Sequence, residues 1–169
     1  MITLGLPQDE SVLAAIGMVA ARHGQLDHVL RMTVKSIAGV SPAEALDATE
    51  GDTSWQLREQ VFALAKRRLG PCPAMVQLRA LLTRAKDASG RRNRLLRGLW
   101  AQEPDGRNVY LADGQRQTPM LSVGDLEALA DELFDVAAAL NSARLKGFLY
   151  AALEATKPAK PMDVAAEAE

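Results

Sequence analysis

The chain has 169 residues, of which 24% are charged, 48% apolar and 4% aromatic, and it contains one cysteine. This length suggests one domain that can bury a core unaided, and the proportions exclude a disordered or fibrous chain. No apolar run approaches the ~20 residues of a membrane helix, and Met1–Glu10 has two acids and no Lys or Arg, unlike a signal peptide. We therefore expect a cytoplasmic protein without membrane contact, cofactor, disulfide or zinc site, since Cys72 is the lone thiol.

Charge is distributed unevenly along the chain. Residues 1–57 carry three basic and seven acidic side chains. Residues 58–97 carry eleven basic and two acidic side chains, and residues 98–169 carry six basic and twelve acidic ones. The net charge of −1 therefore hides a central block of +9 between flanks of −4 and −6. Such asymmetry indicates a surface that binds nucleic acid or another anion. The alternative is that acidic helices neutralise a basic helix within the chain.

The first predicted helix runs from about Asp9 to Ala38, with Gly39 after its end and Pro42 as a stop. Apolar residues recur at three- and four-residue steps, namely Val12, Ile16, Val19, Leu26, Leu30, Val34 and Ile37. A second face consists of small residues, namely Ala14, Gly17, Ala21 and Gly24. Because Gly inside a helix costs about 1 kcal/mol relative to Ala, this face predicts a close helix partner, within the chain or in a dimer. Simple tolerance of Gly is the alternative.

Two more helices are predicted in the central block. Residues 39–53 form a loop with one helical turn at Pro42–Ala48, and the pattern Thr53-x-x-Gln56 is typical of a capping box. The second helix follows to about Leu69, with Leu57, Val61, Leu64 and Ala65 facing inward. The third runs from about Pro73 to Leu99 on a stripe of Leu78, Leu82, Ala85, Leu96 and Leu99, with Gly90 as a kink or weak point.

The pattern changes after Trp100. Two alternating segments, Arg107–Ala112 and Gln115–Leu121, flank the turn Asp113-Gly114 and predict a β-hairpin. A last helix is predicted from about Val123 to Ala155, buried through Leu126, Leu129, Leu133, Val136, Leu140, Phe148 and Ala151. The fold class is thus all-α, with four main helices and a short hairpin before the last one. We expect one domain over residues 1–156 and a disordered tail over 157–169.

The basic run from Arg91 to Trp100 carries the strongest chemical signal. On a helical wheel, Arg92 continues the stripe of the third helix and faces inward, where an unpaired charge is costly. Asn93 and Arg97 share the neighbouring side, whereas Arg91 and Arg94 project toward solvent. The wheel therefore separates an inward polar group of Arg92, Asn93 and Arg97 from an ordinary charged surface.

This segment resembles the signature of the HEPN superfamily (higher eukaryotes and prokaryotes nucleotide-binding domain), Arg-Asn-x-x-x-His-Gly-x-Trp. The matching positions are Arg92, Asn93, Gly98 and Trp100, and Arg97 occupies the position of the His. The helical layout is similar over roughly residues 9–155. The resemblance implies an up-and-down helical bundle, a homodimer that brings two motifs into one cleft, and metal-independent cleavage of RNA in toxin–antitoxin or phage-defence systems.

The chain departs from that signature where proton transfer is needed. An arginine guanidinium stays protonated near neutral pH, so Arg97 cannot act as a general base, but it can bind phosphate. Only two histidines could replace the missing one. His23 lies on the apolar stripe of the first helix, either as a core histidine or reaching toward Arg92. His28 continues the small face, and Asp27 is the acid that could pair with Arg92.

Three functions remain open from the sequence. The first is a non-catalytic HEPN-like dimer that binds RNA or another phosphate-bearing partner through Arg91, Arg92, Asn93, Arg94, Arg97, Trp100, His23 and Asp27. The second is a metal-independent ribonuclease with an altered site, with Arg92, Asn93 and Arg97 as catalytic candidates. The third is a structural bundle that binds a protein partner, such as an antitoxin-type protein. Trp100 is expected to cap the core or to stack on a base, and Trp55 to cover an apolar edge or an interface.

Overall fold

A computed structural model describes residues 3–4, 9–102, 108–112, 116–118 and 122–157. Within these ranges it contains six helices and four short strands. The helices are α1 (Glu10–Ala38), α2 (Pro42–Ala48), α3 (Ser54–Leu69), α4 (Pro73–Arg97), α5 (Val123–Leu145) and α6 (Phe148–Ala155). The strands are β1 (Thr3–Leu4), β2 (Leu99–Gln102), β3 (Asn108–Ala112) and β4 (Arg116–Thr118). The predicted tail from residue 158 onward lies outside the described residues.

Local capping chemistry sets the helix ends that the sequence predicts. The side chain of Thr53 accepts a hydrogen bond from the Gln56 N–H, and the Gln56 side chain accepts one from the Thr53 N–H, which completes the capping box of α3. Gly39 ends α1 in the left-handed conformation, with φ of 74°, which glycine adopts at little cost. These predicted boundaries are confirmed to within one residue.

The prediction of one continuous last helix is wrong. The chain breaks between α5 and α6, because the N–H groups of Lys146 and Gly147 both donate to the carbonyl of Ser142. A Cβ on Gly147 would lie 3.0 Å from the Cα of Ala143, so this close approach requires glycine. The break also resets the buried face: Leu149 and Leu153 are buried in α6, whereas Phe148 is only partly buried and Ala151 is exposed.

The buried core of the described residues is helical, and it lies where α1 packs against α5 and α3, with α4 against α5. The stripe predicted for α1 is buried except for Ile16, which is only partly buried. On α4 the prediction that Leu96 faces inward is wrong: Leu96 is 39% exposed, and Leu95 is 1% exposed in its place. On an ideal helix Leu96 lies five full turns after Leu78 and would share its face, so helical spacing does not account for the exchange, and packing against the neighbouring elements decides which leucine is buried. α4 continues through Gly90 without a break.

The small face of α1 is open within the chain. Ala14, Gly17, Ala21 and Gly24 are exposed, and a Cβ on either glycine would meet no atom within 4 Å among the described residues. The prediction of a close helix partner within the chain is therefore wrong for the described residues, and contact with a second copy stays a prediction. The face borders a shallow groove of about 700 Å³ that α1 shares with Phe134 and Ala138 of α5.

The strands form one antiparallel sheet in the order β1-β2-β3-β4. β3 pairs with β4 through Tyr110 opposite Thr118, and β2 pairs with β3 through Trp100 opposite Tyr110. The predicted turn Asp113-Gly114 lies outside the described residues. β2 follows α4 directly and so continues the chain from the basic segment. None of the helices described is long and apolar enough to cross a membrane.

Candidate anion-binding cleft

A cleft of about 830 Å³ opens between α1, the start of α3 and the second half of α4. Its floor and walls carry six basic side chains: Arg58, Lys86, Arg91, Arg92, Arg94 and Arg97. Two acidic side chains, Asp27 and Asp87, line the same cleft. The cleft therefore has an excess of four positive charges before His23 is counted, which is an electrostatic surplus suited to an anion.

Arg58 is the most deeply placed of these cations. It is 9% exposed, and its hydrogen bond among the described residues, from Nη1 to the Ser89 hydroxyl, is long at 3.4 Å. Burial lowers the pKa of Arg58, although the charges of Asp27 and Glu59 oppose that effect. A buried guanidinium normally has several strong partners, so Arg58 retains donor capacity that an anion in the cleft can use.

Arg92 shows the same excess of donors. Its Nη1 donates to Oδ1 of the neighbouring Asn93 at 3.0 Å, whereas its buried Nε has no hydrogen-bond partner among the described residues. Its side chain is half-buried, as the inward position on the wheel predicts. A guanidinium has five N–H donors in a rigid fork that matches carboxylate or phosphate oxygens. Arg92 is therefore oriented by Asn93 and keeps part of its fork for another acceptor.

His23, Asp27 and Ser54 form a closed polar group at one end of the cleft. The Ser54 hydroxyl donates to Asp27 Oδ1 at 2.5 Å, and Ser54 Oγ lies 3.1 Å from His23 Nε2. Since Ser54 has one hydroxyl proton and the carboxylate only accepts, His23 Nε2 must be the donor to Ser54. His23 Nδ1 lies 3.5 Å from Asp27 Oδ2. Nε2 is thus held by a hydrogen bond inside the protein, whereas the contact between Nδ1 and Asp27 is attractive only when the ring is protonated.

The net effect of the surroundings is to lower the pKa of His23. Burial is the largest cause, since the ring is 6% exposed. The charge of Asp27 opposes it, and the positive charges of Arg92 and Arg58 lower the pKa further. His23 is therefore mainly neutral at pH 7, and an anion bound beside the two arginines would favour its protonation.

The structure brings nearly all of the predicted site residues into this cleft. Arg91, Arg92, Asn93, Arg94 and Arg97 line it from α4, and His23 and Asp27 line it from α1. The prediction that Arg97 faces inward with Arg92 and Asn93 is wrong, because Arg97 is the last residue of α4 and is exposed. Asp27 does not pair with Arg92 as expected; its bonds go to Ser54 and His23. His28 lies instead in the groove beside α5. The prediction for Trp100 concerns a side chain outside the described part of the structure.

Sequence reasoning missed Arg58, Ser54 and Trp55 as cleft residues. The signal for Arg58 was present, because it lies three residues before Val61 and seven before Ala65 on the buried face of α3. The same helical wheel that turned Arg92 inward would have turned Arg58 inward. Ser54 joins the site only because α3 begins beside α1, which no local pattern reveals.

No protein-family model, curated protein or solved structure matches the chain. Within the described residues, no group of three His, Cys, Asp or Glu side chains could hold a metal ion.

Proposed function

We propose that this protein is a HEPN-like up-and-down helical bundle that binds RNA or another phosphate-bearing partner in the cleft without cutting it. The observation that carries the proposal is that two inward guanidinium groups, Arg58 and Arg92, line the same cleft with few hydrogen-bond acceptors from the protein. Phosphate is one of the anions whose geometry suits such forks.

The surrounding charges support an extended phosphate-bearing ligand. Arg91, Arg94 and Arg97 are exposed along the α4 wall, where a polymer backbone can neutralise several of them together. Binding of that kind releases counterions, so it weakens steeply with salt. Arg84 lies outside the cleft and is paired with an acid: its Nε is 3.4 Å from Glu132 Oε1 at an exposed position between α4 and α5.

Binding without cleavage is supported by the state of the candidate bases. Arg97 stands at the position of the signature His and stays protonated, so it cannot accept a proton. His23 is near Arg92, but its Nε2 donates to Ser54 and its Nδ1 faces Asp27. A general base must reach the proton that it removes, and His23 would first have to break its internal contacts.

The resemblance extends the proposal to biological context. The proposal includes a homodimer and an antitoxin-type protein partner, in a toxin–antitoxin or phage-defence system. The exposed small face of α1 is the surface of this chain that a second copy would suit.

The test is titration of a fluorescent single-stranded RNA at low ionic strength, repeated at rising salt. For single strands the logarithm of the affinity falls by about 0.7 per logarithmic unit of salt for each phosphate neutralised. We expect Arg92→Ala to weaken binding and to reduce that slope, and Arg84→Ala, on the same helix but outside the cleft, to do neither. Absence of RNA binding at low salt would remove the proposal, and co-purification of an acidic protein instead would favour a partner-binding bundle.

A metal-independent ribonuclease with an altered site is the second candidate, because His23 lies in the cleft with Arg92. It predicts RNA cleavage in the presence of a chelator that is lost in both Arg92→Ala and His23→Gln. Intact RNA after incubation with concentrated, nuclease-free protein would leave binding alone.

A further inference from the structure

Trp55 is an exposed aromatic side chain on the rim of the cationic cleft. It is the second residue of α3, immediately after Ser54, and it is 62% exposed. The capping box of Thr53 and Gln56 fixes the start of α3, so the position of Trp55 relative to the cleft is defined by the fold. Of the large apolar side chains that are exposed in the described part of the chain, Trp55 is the one that lines the cleft.

The indole lies between two depressions. It lines the cationic cleft, and it also lines a neighbouring depression of about 280 Å³. The second depression has apolar walls from Phe62 and Leu82 and polar groups from Glu59 and Thr83. Its apolar walls offer faces to a flat ring, and the carboxylate and hydroxyl offer hydrogen bonds to polar atoms at the ring's edge.

Cationic groups are grouped around the same indole. Arg58 and Lys86 line both depressions, and the Arg79 guanidinium lies 4.9 Å from the centre of the Phe62 ring in the smaller one. Phosphate-binding cations next to an exposed aromatic ring are the arrangement by which single-stranded nucleic acids are bound: the cations follow the backbone and the ring stacks on a base. A ligand with phosphate alone would leave the indole uncovered.

We infer that Trp55 is a stacking platform for a nucleobase whose phosphate lies in the cleft, so that the ligand is a nucleotide unit rather than phosphate alone. The inference rests on the proposed phosphate-binding function and adds the class of ligand. The nucleotide unit belongs either to a single strand or to a free mononucleotide, and the two share the same contacts.

The test compares ligands that differ only in the base. Adenosine monophosphate and ribose 5-phosphate are titrated calorimetrically into the full chain, alongside a short oligouridine and the same backbone without bases. Stacking on an aromatic side chain strengthens binding by about 5- to 150-fold per base. We expect ligands with a base to bind tighter by a factor in that range, and this ratio to fall to about one in Trp55→Ala.

A matched variant separates stacking from a general effect of substitution. Trp55→Phe keeps an aromatic face, so it should retain most of the ratio. Ligand-induced quenching of the Trp55 fluorescence, which we expect in the wild type, should disappear in this variant. If the base-bearing and base-free ligands bind equally well, the inference is wrong and the phosphate site stands. If none of the four ligands binds, the proposed function itself fails. Tighter binding of the oligouridine than of the mononucleotide identifies a single strand as the source, and the reverse identifies a free nucleotide.

Discussion

Replacing Arg58 by methionine should make the protein more stable and lower its affinity for phosphate. Arg58 is buried with one long hydrogen bond, to Ser89, and burial lowers the pKa of its guanidinium. The charge is therefore held in place at a cost to folding. Methionine is also a long, unbranched side chain but carries no charge, and its flexibility lets it fill an irregular site.

The magnitude follows from the weak partners of Arg58. Replacing buried ionic groups by apolar ones of similar volume is commonly neutral or stabilising by 1–4 kcal/mol, and we expect about 1 kcal/mol here because the Ser89 hydroxyl loses its partner. For a chain of this size that gain raises Tm by about 2–4 °C. Inorganic phosphate at 100 times its Kd should add about 2.7 kcal/mol to the wild type. A loss of 10- to 150-fold in affinity would leave the variant only about 0.3–1.4 kcal/mol at the same concentration.

The assay is thermal unfolding of both proteins with and without phosphate, with Arg67→Met as the control. Arg67 is an exposed basic residue of the same helix, so its replacement should change neither the stability without phosphate nor the gain on adding it. The reasoning is refuted if Arg58→Met lowers Tm by several degrees while the gain from phosphate is unchanged, because Arg58 would then be a structural residue only.

Three further predictions concern the buried histidine and the corrected packing. Because the pKa of folded His23 is lowered, the unfolded chain binds more protons below pH ~6.5, so the free energy of unfolding should decrease as the pH is lowered, by at most about 1.4 kcal/mol per pH unit. Urea unfolding of His23→Gln should lack this component, and an equal loss in the variant would contradict the prediction. Leu95→Ala should cost about 2–5 kcal/mol and Leu96→Ala about 1 kcal/mol or less, since they are 1% and 39% exposed; equal losses in denaturant unfolding would restore the predicted stripe. Gly147→Ala should destabilise by about 1–3 kcal/mol because its Cβ meets backbone, whereas Gly24→Ala in open space should stabilise by about 0.5–1 kcal/mol, and calorimetry showing the same sign for both would refute the packing argument.

Local chemistry made the helices predictable. Capping residues such as Thr53 and Ser122 act within one turn, so their effect is visible in the sequence itself. The break at Gly147 escaped because a glycine inside an apolar pattern is compatible with a continuous helix, and only the close approach to Ala143 requires it. The shift from Leu96 to Leu95 escaped because ideal helical spacing places Leu96 in line with Leu78, and only the packing of neighbouring elements buries Leu95 instead.

The cations of the cleft were predictable from the sequence, whereas the contacts between helices that complete the cleft were not. Arg92 and Asn93 were placed from one helix, because periodicity fixes which side chains share a face. The contact of Ser54 with Asp27 joins residues 27 positions apart on two helices, and a single sequence carries no signal for such a pairing. The role of His23 is therefore not predictable from the sequence, because it depends on the hydrogen bond between Nε2 and Ser54 on another helix.

The charges of the cleft connect its stability to its occupancy. Asp27 is the acid whose charge most strongly raises the pKa of Arg58, yet its oxygens face Ser54 and His23 and leave Arg58 without a strong acceptor. Had Asp27 paired with Arg58, that guanidinium would have fewer donors for a ligand and the fold would gain a partner for its buried charge. Ser54 and His23 thus hold the carboxylate in an arrangement that keeps the guanidinium groups available, and an anion supplies what the fold lacks. This explains why Arg58 should oppose folding and favour binding, and it predicts that Ser54→Ala, which releases Asp27 toward Arg58, would weaken phosphate binding without removing any cation. Unchanged phosphate affinity in Ser54→Ala, measured by calorimetry, would show that Asp27 has no such competing position.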